Sequence, residues 1–262
     1  MRIVTWNVNS VVARLPRLLP WLTATNPDVV CLQETKVSAE TFPSADVEAL
    51  GYRVAAHGEG RWNGVAILSR VGLDNVRSGL TGDPGYPTSD ILEARAIAAT
   101  CGGVRVCSVY VPNGREPGHE HYAYKLAWLA ALQTAIADDA AGPIPYALMG
   151  DFNVAPTDSD VWDPAAFTNS THVTPPERAA LAALRELGLH DVLPRPLKYD
   201  RPFTYWDYRA GMFHKNLGMR IDLVYANAPF AAAVADAYID RDARKGAGAS
   251  DHAPVVIDLR LD

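Results

Sequence analysis

Short apolar segments recur along this chain and limit the folds open to it. Nine of them are rich in Val and Ile and are bounded by Gly, Pro or Asn, which is typical of β-strands. The predicted strands are Arg2–Asn7, Asp28–Gln33, Tyr52–His57, Gly64–Ser69, Arg95–Thr100, Val104–Val111, Tyr146–Gly150, Ile221–Ala226 and Pro254–Leu259. Apolar residues at three-to-four spacing predict three helices, over Ala13–Ala24, Tyr122–Asp138 and Pro176–Leu187. The chain is therefore expected to be an α/β protein.

The order of the elements indicates how the sheets of this α/β protein are arranged. The four predicted strands between residues 52 and 111 follow one another through short connections, which favours antiparallel pairing. Helices separate the predicted strands at 2–7, 28–33 and 146–150. This mixture predicts two packed mixed β-sheets with helices outside, rather than a doubly wound parallel sheet. No Gly/Ser linker, charge run or fixed-period repeat interrupts the chain, so residues 1–262 are predicted to form a single domain.

Composition excludes several classes of protein. Apolar residues make up 48% of the 262 positions, so the chain can fill a large core and is not a disordered or low-complexity protein. No run approaches the roughly 20 apolar residues of a membrane helix, and Met1 leads into the first strand without a signal peptide. Three scattered cysteines, Cys31, Cys101 and Cys107, lie in apolar runs. They predict buried, reduced thiols and hence a cytoplasmic protein.

The net charge of −6, from 24 basic and 30 acidic residues, argues against a positive coat for non-specific DNA binding. It leaves a nucleic-acid enzyme open, because a metal site needs clustered carboxylates and phosphate contacts need only a local basic patch.

Polar residues recur where the apolar strands begin or end. The set comprises Asn7, Glu34, Asp151, Asn153, Asp222, Asp251 and His252. Most of them, taken singly, fit a turn or a solvated strand end. Asp222 does not, because a carboxylate inside an apolar strand must be compensated for its desolvation. In a mixed sheet the carboxyl ends of some strands meet the amino ends of their antiparallel neighbours, so we expect these residues to converge in one pocket.

The chemistry of this set points to a reaction class. Oxygen ligands without a Cys or His cluster select Mg²⁺, Mn²⁺ or Ca²⁺ rather than zinc. Mg²⁺ takes one or two carboxylates and leaves its other positions to water and phosphate oxygens. The set therefore predicts metal-assisted attack on a phosphoester. Asp151, Asn153 and an Asp222–His252 pair have the right chemistry to activate water, stabilise developing charge and assist the leaving oxygen.

Eight short motifs then point to a family. They are Thr5-Trp6-Asn7-Val8-Asn9-Ser10, Leu32-Gln33-Glu34-Thr35-Lys36, Trp62-Asn63-Gly64-Val65-Ala66, Val109-Tyr110-Val111-Pro112-Asn113-Gly114, Gly150-Asp151-Phe152-Asn153, Trp206-Asp207-Tyr208-Arg209, Arg220-Ile221-Asp222 and Ser250-Asp251-His252-Ala253-Pro254. In this order they resemble the exonuclease III family of abasic-site endonucleases. The resemblance spans the chain from Arg2 to Leu259. It implies a four-layer α/β sandwich, shared with deoxyribonuclease I, in which helices flank two packed mixed β-sheets.

The resemblance also implies a metal site. Glu34 matches the main metal carboxylate, with Asn7 supporting it and Asp251 contributing to the same site; Asp151 and Asn153 are further candidates. The implied ion is Mg²⁺, with Mn²⁺ as a substitute.

Further roles follow from the same resemblance. Asp151 matches the residue that orients or deprotonates the attacking water, and Asn153 the residue that contacts the phosphate and transition state. Tyr110 matches a tyrosine beside the scissile phosphate, and His252 a histidine held by Asp222.

Seven residues are predicted to bind DNA. They are Lys36, Asn63, Asn113, Tyr205, Trp206, Arg209 and Arg220. Tyr205 and Trp206 match positions at the damage pocket and at the edge that contacts DNA. Three positions depart from relatives: Asn9 stands where some carry Asp, Asn113 where others differ, and Arg209 where others place an apolar residue.

The leading hypothesis is a Mg²⁺-dependent DNA repair nuclease, a monomer acting on double-stranded DNA in base excision repair. It would incise 5′ to abasic sites, clean blocked 3′ ends and degrade DNA 3′→5′. Two alternatives keep the fold: a phosphoesterase acting on an inositol phosphate or phospholipid, and a non-catalytic DNA-binding protein. The Leu32–Lys36 motif and the aromatic stretch 203–208 match the DNA-acting branch, and every catalytic position is filled.

Overall fold

Two β-sheets form the centre of the computed structural model, which describes residues 1–88 and 92–261. The strands in this part of the chain are β1 (Arg2–Asn7), β2 (Val29–Gln33), β3 (Arg53–His57), β4 (Val65–Ser69), β5 (Asp74–Ser78), β6 (Ala96–Cys101), β7 (Val104–Tyr110), β8 (Tyr146–Asp151), β9 (His190–Asp191), β10 (Arg195–Pro196), β11 (Asp222–Ala226), β12 (Val234–Ile239) and β13 (Val255–Leu259). The helices there are α1 (Val11–Thr25), α2 (Ser44–Glu48), α3 (Glu120–Ala135), α4 (Ala137–Ala141), α5 (Pro175–Glu186), α6 (Met212–Lys215) and α7 (Ala228–Ala233).

Both sheets are mixed. The first has the strand order β10-β12-β13-β1-β2-β4-β3 and the second the order β5-β6-β7-β8-β11-β9. β1 runs parallel to β2 in one sheet, and β7 runs parallel to β8 in the other. β13 and β11 pair antiparallel with β1 and β8. Carboxyl ends and amino ends of neighbouring strands therefore meet at one edge of each sheet.

The main core lies between the sheets, where Ile3 and Val29 of one sheet belong to the same buried cluster as Val106 and Met149 of the other. Helix α1 covers the outer face of the seven-stranded sheet, and α3 and α5 cover the outer face of the six-stranded sheet. The result is the predicted four-layer α/β sandwich, so the predicted fold class is confirmed. The single-domain organisation stays a prediction. None of the described helices is long and apolar enough to cross a membrane.

The predicted strands match the observed ones to within one or two residues, with one difference in pairing. β3 pairs antiparallel with β4, and β6 with β7, as their short connections indicated. The two hairpins lie in different sheets, however, so β4 does not continue into β6. Four strands, β5, β9, β10 and β12, lacked a prediction. β5 is exposed throughout, so it carries no apolar signal.

Helix α1 is longer than predicted, although Pro16 and Pro20 lie inside it. A proline inside a helix leaves the carbonyl four residues earlier without its backbone partner. Both prolines are on the exposed side of the helix, as is Val12, whose carbonyl loses its partner at Pro16. Water can therefore satisfy the freed carbonyl, and the helix continues. The second and longest predicted helix also changes, because the segment Tyr122–Asp138 divides into α3 and α4 at Ile136.

Candidate active site

The predicted polar residues converge at the ends of four central strands. Asn7 ends β1, Glu34 follows β2, Asp151 ends β8 and Asp222 begins β11. The antiparallel register of β8 and β11 places Asp151 directly opposite Asp222. His252 reaches this edge from the segment before β13. The expectation that these strand ends form one pocket is met by the geometry.

Glu34, Asp151 and His252 form a potential cation site. Each can offer one ligand atom, and these three atoms lie within 4.8 Å of one another. The Nδ2 of Asn7 donates to Oε1 of Glu34 at 2.8 Å and to Oδ2 of Asp151 at 2.9 Å, which fixes both carboxylates. Two nearby carboxylates with oxygen donors suit a hard divalent cation, whose charge would offset their mutual repulsion. The two carboxylates, rather than His252, therefore fit a metal site.

The two carboxylates have different electrostatic surroundings. Burial alone would raise the pKa of Glu34, but the Lys36 ammonium, 2.9 Å from Oε2, and the Asn7 amide outweigh it and hold that pKa below its ordinary value. Burial raises the pKa of Asp151 to about 7, aided by the charges of Asp222 and Glu34 and opposed by His252. Glu34 is therefore a permanent anion, whereas Asp151 can exchange a proton near neutral pH.

A buried dyad lies next to Asp151. Nδ1 of His252 is 2.8 Å from Oδ2 of Asp222, and Nε2 of His252 is 3.8 Å from Oδ2 of Asp151. Burial opposes a charge on His252, but Asp222 outweighs it and raises the pKa of His252 to about 10. The ring of Tyr205 packs on the imidazole, with centroids 4.9 Å apart. The histidine is thus held in one orientation and carries a proton at neutral pH.

Asn153 occupies a constrained position beside Asp151. Its φ of 50° is left-handed, and its backbone N–H donates to Oδ1 of Asp151 at 2.9 Å. Its side chain donates to the carbonyl of Val111 at 3.0 Å and accepts from Nδ2 of Asn113 at 3.1 Å. The two amides therefore form a connected pair beside Asp151. Tyr110 lies in the same region, where burial and then Glu34 raise the pKa of its phenol well above the usual value, so it stays protonated.

Asp251 lies outside the group formed by Glu34, Asp151 and His252. Its Oδ1 accepts from Nδ2 of Asn9 at 3.0 Å, and Oδ1 of Asn9 in turn lies 2.5 Å from Nζ of Lys36. Asp251 therefore reaches the site through Asn9, not through direct contact with Glu34. Its contribution to a metal site stays a prediction.

Two predicted DNA contacts are corrected by burial. Trp206 is 1% exposed, with its ring edge-on to Phe213 at 5.3 Å between centroids and its Nε1 bonded to Asn216. Arg220 is 2% exposed, and its guanidinium pairs with Asp160 at 2.6 Å and with Asp191 at 2.9 Å. Neither side chain is at a surface that DNA can touch. Trp206 belongs to the core beneath the predicted damage pocket, and Arg220 to a buried ion-pair network.

The other predicted DNA contacts lie around the site, and Asn63 is the most buried of them. Asn63, Tyr110 and Asn113 line one cavity of about 550 Å³, together with the exposed Trp62. The Arg209 side chain is 86% exposed and pairs with Asp207. Lys36 and Tyr205 are adjacent to Glu34 and His252 as described above. These residues are positioned at the rim, and their contact with DNA stays a prediction.

Two supporting residues had no predicted role. Lys125 is fully buried and donates to the backbone carbonyls of Asn153 and Asn113 at 2.7 and 3.1 Å. His172, like five other histidines, was assigned no role, yet its Nδ1 lies 2.5 Å from the same Asn153 carbonyl. Burial and then Lys125 lower the pKa of His172 to about 4, so it is neutral. The position of Lys125 on the apolar face of helix α3 was the sequence feature from which a role for this residue could have been predicted.

Comparisons with known proteins agree with this geometry. Residues 4–252 match the model of the Endonuclease/Exonuclease/phosphatase family. Exodeoxyribonuclease III of Haemophilus influenzae is 32% identical, over 97% of this chain and 98% of that protein. The 3′-5′ exonuclease NExo of Neisseria meningitidis superposes with a TM-score of 0.92 at 38% identity, with full coverage of both chains. An AP endonuclease from Archaeoglobus fulgidus superposes at 0.91 with 36% identity, again over both full chains.

Fold and site together define a phosphoester hydrolase of the two-sheet sandwich type, whose site is built from carboxylates, amides and a buried Asp–His dyad. The chain belongs to the Endonuclease/Exonuclease/phosphatase family and, within it, to the exonuclease III branch of DNA repair nucleases. The resemblance seen in the eight sequence motifs is thereby confirmed, as is the prediction of a nuclease. Members of this family use metal ions, and the acidic group at Glu34 and Asp151 could hold such an ion here.

Proposed function

We propose that this protein is a Mg²⁺-dependent nuclease that incises duplex DNA 5′ to abasic sites and clears blocking groups, including phosphate, from 3′ ends. The same site would support 3′→5′ exonuclease action, since each reaction breaks a phosphoester bond at one position. The observation that carries the proposal is the line of buried side chains from Asp222 through His252 to Asp151, beside Glu34.

Relatives with different named activities support this range of substrates. NExo is described as a 3′-5′ exonuclease and, in a complex with a product DNA hairpin, as a 3′ phosphatase. The similar archaeal protein is described as an AP endonuclease. Because this chain resembles both at 36 to 38% identity, we extend both kinds of reaction to it. All the relatives reported above act as nucleases, which argues against the inositol phosphate, phospholipid and non-catalytic alternatives.

Each side chain of the site has its own role in the reaction. Asp151 orients the attacking water and accepts its proton, the task of a general base. The protonated His252, fixed by Asp222, places a positive charge where the phosphate becomes more negative. Asn153 and Tyr110 donate hydrogen bonds to phosphate oxygens. Each of these groups is held by a second contact, so little reorganisation is needed during the reaction.

The metal would be held by Glu34 and Asp151, with Asn7 fixing both carboxylates from behind. Bound Mg²⁺ neutralises charge on phosphate oxygens and assists hydrolysis. We propose Mg²⁺ as the natural ion, with Mn²⁺ able to replace it. Glu34→Gln should therefore need a higher Mg²⁺ concentration for half-maximal activity, while the matched exposed variant Glu48→Gln should not.

A direct test uses two labelled duplexes of the same sequence. One contains an internal abasic-site analogue and the other a nick with a 3′-phosphate, and each is incubated with Mg²⁺ or with EDTA. We expect a product cut 5′ to the analogue and release of phosphate from the nick, in Mg²⁺ only, with an undamaged duplex cut far more slowly. Loss of neither substrate in Mg²⁺ or Mn²⁺ would overturn the proposal, and reaction of the nick alone would remove the abasic-site part.

We further propose that the protein acts as a monomer in the cytoplasm. Its cysteines Cys31, Cys101 and Cys107 are free and buried, which suits a reducing compartment.

A further inference from the structure

A second cationic cavity lies beside the segment that carries Arg209. It has a volume of about 410 Å³, and its wall includes Tyr208 and Phe213 of that segment. Two arginines from the loop after β12, Arg241 and Arg244, line its interior, and Lys198, His214 and Lys245 are at its margin. This cavity is separate from the group formed by Glu34, Asp151 and His252.

The two interior arginines are buried without a direct ion pair among the described residues, although Asp207 also lines the cavity and the charges of Asp242 and Asp251 act on Arg241 and Arg244 from farther away. Arg241 and Arg244 are 6% and 7% exposed, and among the described residues no carboxylate oxygen lies within 4.0 Å of either guanidinium. Their only protein hydrogen bonds there run to backbone carbonyls, from Arg241 to Phe213 at 2.6 Å and from Arg244 to Trp206 at 3.2 Å. The Nε of each is buried with no hydrogen-bond partner.

Stacking on aromatic rings stabilises part of this buried positive charge. The guanidinium carbon of Arg241 lies 3.9 Å from the ring centroid of Phe213, and that of Arg244 lies 4.7 Å from that of Tyr208. Such stacking stabilises a cation, but by less than the cost of burying two like charges together. Burial indeed lowers the pKa of both arginines. An anion in the cavity would supply the direct ion pair that both guanidinium groups lack.

We propose that this cavity is a second phosphate-binding subsite, in which Arg241 and Arg244 hold one phosphate group. Guanidinium groups bind phosphate through paired hydrogen bonds and tolerate partial desolvation better than ammonium groups. The source we favour is the backbone of the bound duplex, and in that respect the inference rests on the proposed function. The Trp206 peptide connects the subsite to the active site, because its carbonyl accepts from Arg244 and its N–H donates to the carbonyl of Asp251 at 2.9 Å.

The test uses charge reversal at the exposed margin, where folding is not at risk. Lys198→Glu and Lys245→Glu alter the margin, and Arg53→Glu is a matched control on β3, at the opposite edge of the seven-stranded sheet. Binding of an undamaged duplex is measured by fluorescence anisotropy over a range of NaCl concentrations in EDTA. The double variant should lower the slope of log K against log salt by about one to two, the value for one or two lost phosphate contacts, and Arg53→Glu should not.

A second measurement addresses the interior. Inorganic phosphate, compared with chloride at equal ionic strength, should raise the melting temperature of the wild type but not of Arg244→Gln. If phosphate raises the melting temperature but the double variant leaves the salt dependence of DNA binding unchanged, the cavity binds a free phosphate group and not a DNA strand. Absence of both effects would overturn the subsite and leave Arg241 and Arg244 as packing residues. Failure of the proposed function shows up separately, as a wild type that binds duplex DNA but hydrolyses no damaged substrate.

Discussion

Asp222 lies on the far side of His252 from Asp151, so that one imidazole separates two buried carboxylates, at 2.8 Å from Nδ1 and 3.8 Å from Nε2. A histidine between two acids is stabilised in its protonated form, and here Asp222 provides most of that stabilisation. The imidazole is therefore a fixed cation in a site that handles phosphate.

This relationship makes the pH dependence of an Asp222→Asn variant predictable. The pKa of His252 is about 10 in the wild type, so the ring keeps its proton throughout the neutral range. Without the Asp222 charge that pKa falls towards its ordinary value of about 6.5. Hydrolysis by Asp222→Asn should thus decline as pH rises above about 6.5, while the wild type stays active to about pH 9. The measurement is kcat/KM from pH 5.5 to 9.5.

A double-mutant cycle provides the control for the dyad. If Asp222 acts through His252, combining Asp222→Asn with His252→Gln should cost little more activity than His252→Gln alone. Additive losses, with parallel pH profiles, would show that the two side chains act independently.

Asp151→Asn should separate catalysis from stability. The change removes the base but keeps the shape of the side chain, so we expect a rate loss of at least ~10² with DNA binding preserved. The folded-state pKa of about 7 exceeds the ordinary value of 3.8, so the carboxylate destabilises the metal-free fold as pH rises between those values. In EDTA at pH 8, Asp151→Asn should therefore melt above the wild type, by roughly 2–4 °C. The gap should close below pH 4, and an equal melting temperature at pH 8 would contradict the assignment.

Much of the fold followed from local patterns. β1 has the predicted bounds, and the other predicted strands shift by a residue or two because their apolar runs are bounded by clear turn signals. The strand-end acids also indicated the site correctly, since desolvation makes Asp222 costly anywhere but in a compensated cluster. What the patterns could not show is which sheet each hairpin joins, because that depends on packing between distant segments.

The two wrong predictions of DNA contact, at Trp206 and Arg220, have the same cause, which is packing between segments that are separate in the sequence. Trp206 and Arg220 are in motifs typical of DNA contacts, but their burial is decided by Phe213, Asp160 and Asp191, which are distant in sequence or on another element. An aromatic or basic side chain in a motif therefore predicts proximity to the site better than it predicts contact with a ligand. Trp206 and Arg209 lie in the same motif, yet the first is buried and the second is exposed, so we expect substitutions at the two positions to have different effects.

Trp206→Ala should lower the stability of the fold, whereas Arg209→Ala should weaken DNA binding without changing stability. Trp206 is fully buried, so its truncation should destabilise the protein by about 3–5 kcal/mol and reduce activity on abasic and 3′-phosphate substrates alike. Arg209 is exposed, so its truncation should leave the melting temperature unchanged, weaken duplex binding and reduce the salt slope by about one. Thermal melts and anisotropy titrations on the two variants distinguish these cases. An unstable Arg209→Ala, or a Trp206→Ala that melts normally, would contradict this division.

The buried ion pair behind Asn153 should control stability in acid. Nζ of Lys125 lies 2.5 Å from Oε1 of Glu177, and both side chains are fully buried. Burial alone would raise the pKa of Glu177, but Lys125 and hydrogen bonds from Thr174 and Thr171 lower it to about 2. A carboxylate with a depressed pKa adds stability above its unfolded value of about 4.5, and that stability is lost as pH falls towards 2.

Glu177→Gln should accordingly be less stable than the wild type at pH 7, by about 3–5 kcal/mol, because it leaves the Lys125 ammonium buried and unpaired. The difference should shrink progressively between pH 4.5 and 2, as the wild-type carboxylate becomes protonated. Urea unfolding at pH 7, 4.5 and 3 measures this, with the exposed Glu186→Gln at the end of the same helix α5 as the control. Since Lys125 also bonds the Asn153 carbonyl, Glu177→Gln should lower kcat more than it raises KM. A pH-independent stability difference, or a kcat equal to that of Glu186→Gln, would show that the pair neither titrates nor positions Asn153.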